Sequence, residues 1–508
     1  MKVLACDLGA SSGRAMVGRF DGSHLQVEEI HRFSNDPVQV GDRLYWDILR
    51  IYWEVERSFI KARQAGHGDV ASFGIDSWAV DFGLLDKNGE LLGNPFHYRD
   101  RRTDGVMEKV LEIVPREEIY RRTGIQFMPI NTINQLYALK LESPHVLEQA
   151  AQLLMIPDLL RYFLTGEKLG EKTNASTTQL FHVVDGTWDE YILDKLALPK
   201  HIFPVTADSG ERAGYLRKSI QDKVGLGALP VYTVGEHDTA SAVVAVPSME
   251  KDFVYLSCGT WSLLGTEIGE PILTDEAREW NLTNERGVNN TYRFLKNIMG
   301  LWLLQECMRV WEREGECISY DELDILVDGA KPLVSFIDPD HEMFLNPRDM
   351  PSQIQHFCRE ANQPVPQNKG EMIRCILESL ALKYRYVLEQ IERLTNKTFY
   401  GLYMVGGGIK NKTLCQYTAN AIGRPVWAGP VEATALGNML VQYIALGKIS
   451  NIREAREIVR RSFQIEEYVP EATSLWNEAY ERFLKVITLW ERTNDASRRT
   501  SSKNIGTR

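Results

Sequence analysis

The stretch Val3-Leu4-Ala5-Cys6-Asp7-Leu8-Gly9-Ala10-Ser11-Ser12-Gly13-Arg14-Ala15-Met16-Val17 decides the fold. An apolar run ends on a carboxylate, a turn of small residues follows, and a second apolar run leaves from Arg14. The pattern predicts strands at 2–7 and 14–20 joined by a tight turn whose backbone N–H groups and hydroxyls can approach an anion closely. A third strand is expected at 24–33 after an Asp21-Gly22 hairpin. Asp47 reads as the N-cap of a helix reaching about Gln64, with Ile48, Ile51, Tyr52, Val55 and Phe59 on one stripe, and a strand at 71–76 follows.

The same opening returns near the chain midpoint. Phe253 to Gly265, FVYLSCGTWSLLG, again runs from an apolar strand through a Gly/Ser/Thr turn into an apolar strand. Its position fits a duplicated fold with a domain boundary near residue 245. Three strands, a helix and a further strand resemble the opening order of the ribonuclease H-like unit. The expected fold class is therefore α/β, with two such domains of the actin, hexokinase and Hsp70 ATPase type flanking a central cleft. Two facing turns of this kind would clamp one triphosphate. Further on, the periodicity predicts a long helix over 371–394, a strand at 402–405 running into Gly406-Gly407-Gly408, a helix from about Asn411 and a strand at 425–428. Residues 471–493 are expected to form a C-terminal helix, and the polar segment 494–508 a disordered tail.

A chain of 508 residues exceeds what one hydrophobic core usually organises. Its net charge of −11 argues against nucleic acid as a partner and for a small ligand. The seven cysteines show no CxxC pair and no histidines at metal spacing, which predicts reduced structural thiols. Cys358 and Cys375 flank a Pro-containing loop and are expected as two buried thiols, a bridge between them being the alternative. The apolar run before Asp7 is too short for a signal peptide, and no window is long enough for a membrane span, so a cytoplasmic protein is expected.

Phosphoryl transfer asks a protein to cradle phosphates, hold Mg²⁺, orient the acceptor hydroxyl and take its proton. Asp7 is the candidate Mg²⁺ ligand, directly or through water. Ser257, Gly259, Thr260 and Ser262 repeat the chemistry of the first turn. In Glu236 to Val243, EHDTASAV, Asp238 is the candidate proton acceptor with an ordinary carboxylate pKa. Read alone it would be a helix cap; its place just before the second turn decides for the base. VGGGIKN, Val405 to Asn411, lacks the GxGxxG spacing of a dinucleotide fingerprint and reads instead as a flat floor for adenine or ribose. GIDSWAVDF, with Asp76 and Asp81, and HYRDRRT, His97 to Thr103, suggest a polyol pocket, although an arginine run by itself is a solvated face.

Over residues 1 to 470 the chain resembles the FGGY family of carbohydrate kinases. The resemblance rests on DLGASSGR, GIDSWAVDF, YRDRRT, GIQFMPINT, TNASTTQL, HDTASAV, SCGTWSLLG, LKNIMGLWLLQ and GPVEATALGN. It implies a sugar- and phosphate-binding domain over 1–245, a nucleotide-binding domain over 246–470, and ATP-dependent phosphorylation of a ketose with Mg²⁺. Carried over residue by residue, Ala10, Ser11, Ser12, Gly13, Arg14, Thr260, Gln305 and Gly407 would contact ATP. Ala79, His237, Asp238, Thr239 and Asn297 would contact the sugar, Asp238 taking its proton. The implied substrate is L-rhamnulose, phosphorylated at its 1-hydroxyl in L-rhamnose degradation. L-fuculose and L-xylulose are alternatives, and an actin- or Hsp70-like ATPase module is an alternative of another class. Ala79 departs from the family pattern, which has Gly there, and a methyl group at that point bears on sugar preference. Partners are expected to be the ketose and ATP, with no nucleic acid or membrane, in a monomer or weak homodimer.

Overall fold

The computed structural model describes residues 1–503, and the chain forms two compact units. The first comprises Met1–Ser257, Gly265–Asn297 and Glu432–Ile465; the second comprises Cys258–Leu264, Ile298–Val431 and the chain from Glu466 onward. Neither is continuous in sequence, because two segments beyond residue 245 pack into the first unit.

In the first unit, β1 (Lys2–Leu8), β2 (Ser12–Phe20), β3 (Leu25–Ser34), α1 (Ile48–Gln64) and β4 (Phe73–Ser77) follow the order read from the sequence. With β5 (Arg212–Tyr215) and β6 (Pro230–Tyr232) the strands form a six-stranded sheet ordered β5-β6-β4-β1-β2-β3. A short turn forces β1 and β2 antiparallel, with Asp7 opposite Arg14, whereas the α1 crossover lets β4 lie parallel to β1, with Asp7 beside Asp76. The β2–β3 connection is tied by the Asp21 carboxylate, which accepts from the N–H groups of Ser23 and His24, both at 2.7 Å. Asp47 caps α1 by accepting from Arg50 N at 3.1 Å, and the buried face of the helix carries Ile48, Ile51, Val55 and Phe59.

The helix Ala433–Ala445 is what brings the late segment into this unit. Gln442 donates to Leu4 O at 3.0 Å and Asn438 donates to Asp76 Oδ2 at 2.6 Å, so the helix is bonded to β1 and β4 through side chains a core helix seldom carries. Gly74 leaves room for both amides.

In the second unit the long helix spans Lys369–Thr395 and is capped by Asn368. The strand Leu402–Val405 pairs in parallel with Val426–Ala428, which pairs antiparallel with Glu466–Tyr468. Between them the helix Lys412–Ile422 starts at Asn411, whose side chain accepts from Leu414 N at 2.8 Å. The C-terminal helix runs Thr473–Lys503, past residue 493; its sequence contains neither Gly nor Pro to stop it, and polar composition alone does not break a helix. Its buried face sets Trp476, Tyr480 and Phe483 against Phe336. The rest of the expected tail, 504–508, lies outside the described residues. Cys358 and Cys375 are buried free thiols. Among the described residues no helix is long and apolar enough to cross a membrane.

Candidate functional site

In the first unit the turn between β1 and β2 closes on itself through Gly9 N, which donates to Ser12 O at 2.9 Å. Asn35 clamps it from outside, donating to Gly9 O at 2.9 Å, while its own N–H donates to Ser11 O at 3.1 Å. Among the described residues the N–H groups of Ala10 and Ser11 find no protein acceptor. Gly13 is required by packing, since a Cβ there would run into the ring of Phe33. Arg14 is braced between two carboxylates. It donates to Asp7 Oδ2 from Nε at 3.2 Å and from Nη2 at 2.9 Å, and it pairs with Glu432 through Nη1. Burial alone would lower its pKa, but Asp7 and Glu432 outweigh that and raise it. Both bonds from Arg14 fall on one oxygen of Asp7, so Oδ1 takes no hydrogen bond among the described residues.

The helix Asp238–Val244 begins with its first residue's carboxylate in an analogous state. Its N-cap position is His237, and Asp238 Oδ1 accepts from Thr239 N at 2.6 Å and Thr239 Oγ1 at 3.2 Å, with His237 Nε2 at 3.3 Å. All three contacts fall on Oδ1, which leaves Oδ2 open on a side chain 31 % exposed. The ordinary pKa expected for this carboxyl is corrected: withdrawal from water raises it, His237 opposes, and the nearby Asp7 charge raises it further.

Behind His237 stand two residues that the sequence reading did not single out. Glu285 and Arg293 face each other across the antiparallel pair Thr283–Arg286 and Tyr292–Met299. Arg293 Nη2 lies 3.0 Å from His237 Nδ1, and Glu285 Oε2 lies 3.2 Å from the same nitrogen. Glu285 Oε1 also accepts from Asn297 Nδ2 at 3.3 Å. Burial would raise Glu285, but the Arg293 charge first, and then the neighbouring His237 and Asn297, lower it to about 2. His237, Asp238, Thr239 and Asn297, far apart in sequence, thus meet in one network. The strand that leads to Ala79 ends beside it: Ser77 pairs with His237 and donates from its N–H to Glu236 O at 2.9 Å. The Ala79 carbonyl accepts from Asp81 N at 2.9 Å in a turn that holds Val80 at φ +66°, a strained value for a β-branched residue.

Three readings of the residues are corrected. Asp81 was expected to face a polyol, yet Trp46 Nε1 (2.6 Å), Trp78 Nε1 (3.1 Å), Tyr98 N (3.1 Å) and Gln135 Nε2 (2.8 Å) use its acceptors inside the core. Burial raises its pKa to about 6 against those bonds. Arg99 and Arg102 are buried rather than forming a solvated face, and Arg102 stacks on Phe96 and donates to Gln135. Ser262, expected to repeat the first turn's chemistry, is buried and shares a 2.7 Å hydrogen bond with the Tyr384 hydroxyl.

Asp76 is fully buried. Asn438 satisfies Oδ2, while Oδ1 has no partner among the described residues. Burial first, and then the charge of Asp7 on the neighbouring strand, pushes this carboxyl well above the usual range. Among the described residues no group of three or more His, Cys, Asp or Glu side chains could hold a metal ion unaided.

In the second unit the turn before the strand Trp261–Ile268 repeats the logic of the first. Gly259 N donates to Trp261 O at 2.9 Å, and Thr260 N–H finds no acceptor among the described residues. Thr260 Oγ1 donates to Gln305 Oε1 at 3.3 Å, so these two expected nucleotide contacts are together. Gly406 and Gly408 press against Cys258, whereas a Cβ at Gly407 would meet nothing within 4 Å.

The model of the FGGY family of carbohydrate kinases, N-terminal domain, matches residues 2–245, and that of its C-terminal domain matches residues 254–446. The chain belongs to the FGGY family of carbohydrate kinases. A rhamnulokinase of Bacteroides thetaiotaomicron is 43% identical over 479 residues, 94% of this chain and 98% of its own. One of Bacillus subtilis is 41% identical over 466 residues, 92% of this chain and 95% of its own. Among solved structures, a xylulose kinase from Lactobacillus acidophilus superimposes with a TM-score of 0.78 at 17% identity, covering 97% of this chain and 98% of its own. A glycerol kinase from Plasmodium falciparum with ADP gives 0.75 at 16%, covering 95% and 98%. These two share the fold, which is α/β.

This FGGY kinase also carries a buried ionic cluster that holds the His237 turn from behind. Arg161 donates to Glu236 Oε1 at 2.9 Å and to Asp158 Oδ1 at 2.6 Å, and Thr173 Oγ1 accepts from His237 N at 3.2 Å. Glu171 Oε2 gathers Thr173 N, Thr173 Oγ1 and Asn174 N. TNASTTQL marked this region, but which acids lie behind it was not legible before the chain folded.

Proposed function

We propose that this FGGY kinase transfers the γ-phosphoryl group of ATP to the 1-hydroxyl of L-rhamnulose, giving L-rhamnulose 1-phosphate and ADP in L-rhamnose degradation. The supporting observation in the molecule is Asp238: one carboxylate oxygen is anchored by three contacts and the other is open. Near full-length relatives named rhamnulokinase support the choice of sugar.

In this reading Asp238 Oδ2 orients the acceptor hydroxyl and takes its proton late in a loose transition state, for which a raised pKa makes it a better base. His237, Thr239, Asn297 and the backbone at Ala79 contact the sugar. Ala10 and Ser11 offer open N–H groups to the phosphates, with Ser12, Gly13 and Arg14 completing that contact, and Thr260, Gln305 and Gly407 contact the nucleotide. Mg²⁺ demands few protein ligands and completes its shell with water and phosphate oxygens. The open Asp7 Oδ1 and the unpartnered Asp76 Oδ1 fit such an ion, which when bound neutralises phosphate charge. The region before residue 245, with Asn297, serves sugar and phosphates, and the rest of the later region the nucleotide. We place the enzyme in the cytoplasm as a monomer or weak homodimer.

ADP formation measured with L-rhamnulose, L-fuculose, L-xylulose and no sugar tests the reading. The highest kcat/KM is expected with L-rhamnulose. A higher value for either other ketose, or turnover that does not depend on sugar, would reject it.

A further inference from the structure

We propose that Arg293, held in place by Glu285, is a positioning residue that fixes the tautomer of His237 and through it the orientation of Asp238. The inference rests on the role given to Asp238 above. A guanidinium has only donors, so Arg293 Nη2, aligned on His237 Nδ1 at 3.0 Å, requires a lone pair at Nδ1. The imidazole proton then sits on Nε2, the nitrogen 3.3 Å from Asp238 Oδ1. The opposite tautomer would donate from Nδ1 to Glu285 and turn a lone pair of Nε2 toward the Asp238 carboxylate, losing one of the contacts that anchor it.

The arrangement is held from behind. Arg293 Nε donates to Arg286 O at 3.0 Å, which fixes the guanidinium plane, and Glu285 Oε2 lies 3.1 Å from Arg293 Nη1, compensating a fully buried cation. Glu285 Oε1 meanwhile holds Asn297, so one carboxylate steadies both Arg293 and a side chain of the sugar site. The outcome is an Asp238 whose Oδ1 is occupied and whose Oδ2 alone is free to meet a hydroxyl.

Long-range ¹H–¹⁵N spectra of the full-length enzyme read the tautomer directly, with the His237 signals assigned by their absence in His237→Gln. The Nε2–H form is expected in the unmodified protein near neutral pH, and a mixture in Arg293→Met. In steady-state kinetics with L-rhamnulose, Arg293→Met is expected to lower kcat roughly 10- to 100-fold while the sugar KM stays within about 3-fold, and Arg293→Lys, which keeps a donor, to recover part of the loss. Glu285→Gln keeps the side-chain shape and serves in its place should Arg293→Met not fold. An Nδ1–H or doubly protonated His237 in the unmodified enzyme, or a normal kcat in the variants, overturns the proposal. Absence of any ketose phosphorylation by the unmodified enzyme would instead reject the proposed function, and the spectra would still decide the tautomer.

Discussion

The backbone carbonyl of Ser241 lies so close to Gly437 that a Cβ on residue 437 would overlap its oxygen. Ser241 belongs to the helix that starts at Asp238, and Gly437 to the helix bonded to β1 and β4, so the two helices meet backbone to backbone. No side chain can move aside to relieve such a contact. The catalytic candidate's helix is therefore seated by a glycine, in a manner unrelated to backbone flexibility.

Gly437→Ala follows from this geometry as a test of sign. In an unconstrained helix the change would stabilise by about 1 kcal/mol, but overpacking against Ser241 is expected to cost roughly 1–3 kcal/mol and to displace Asp238. A lower melting temperature and a lower kcat are expected. A melting temperature that rises would show that the helices separate freely.

Asp238→Asn removes the proton acceptor while keeping the anchor on Oδ1, since an amide oxygen can accept from Thr239 N. Turnover is expected to fall on the order of 10²–10⁴-fold, with sugar and ATP dissociation constants little changed. The same carboxyl sets the pH profile. Because the base must be ionised and its pKa is raised, log(kcat/KM) should bend downward with acidification at a higher pH than an unperturbed aspartate would give. An acid limb at or below the pH of an ordinary aspartate in the unmodified enzyme would contradict the environment described for Asp238.

The strand–turn–strand units were legible because apolar period and small-residue turns are local signals, and the cap at Asp47 and the helix start near Asn411 lie where the sequence puts them. Asp81 was misread because four donors from separate segments had to arrive before its acceptors were used up. Glu285 and Arg293 carry no motif, and their pairing depends on a cross-strand register that no spacing along the chain reveals. Glu432, the second brace of Arg14, lies within the quoted segment GPVEATALGN, yet nothing in the sequence joined it to a residue at the other end of the chain.

The three consecutive glycines should respond in two ways. Gly406 adopts φ +92° and a Cβ there would stand 2.9 Å from Cys258 O, while a Cβ at Gly408 would overlap the Cys258 sulfur. Gly406→Ala and Gly408→Ala are expected to lower the melting temperature, each by an effect of roughly 1–3 kcal/mol. Gly407→Ala has space and should keep the melting temperature while raising the KM for ATP several-fold. Equal stability losses for all three would remove Gly407 from the nucleotide site and leave it a structural glycine.

Glu171 supplies the clearest link between pH and stability. Burial first and the neighbouring Glu236 next raise its pKa to about 7, so the folded protein holds this proton more tightly than the unfolded chain does. Stability contributed by the protonated form is complete at acid pH and is lost as pH rises from the unfolded carboxyl value through about 7. Glu171→Gln keeps an acceptor for Thr173 and Asn174, can still meet the Ser209 hydroxyl through its amide, and removes the buried charge. The variant is expected to match the unmodified protein at pH 4 and to exceed it in melting temperature at pH 8, by an effect of up to about 3 kcal/mol. A gain of the same size at both pH values would mean that the proton is not what burial of Glu171 controls, and a loss at pH 8 would mean that the ionised carboxylate is needed to hold the His237 turn.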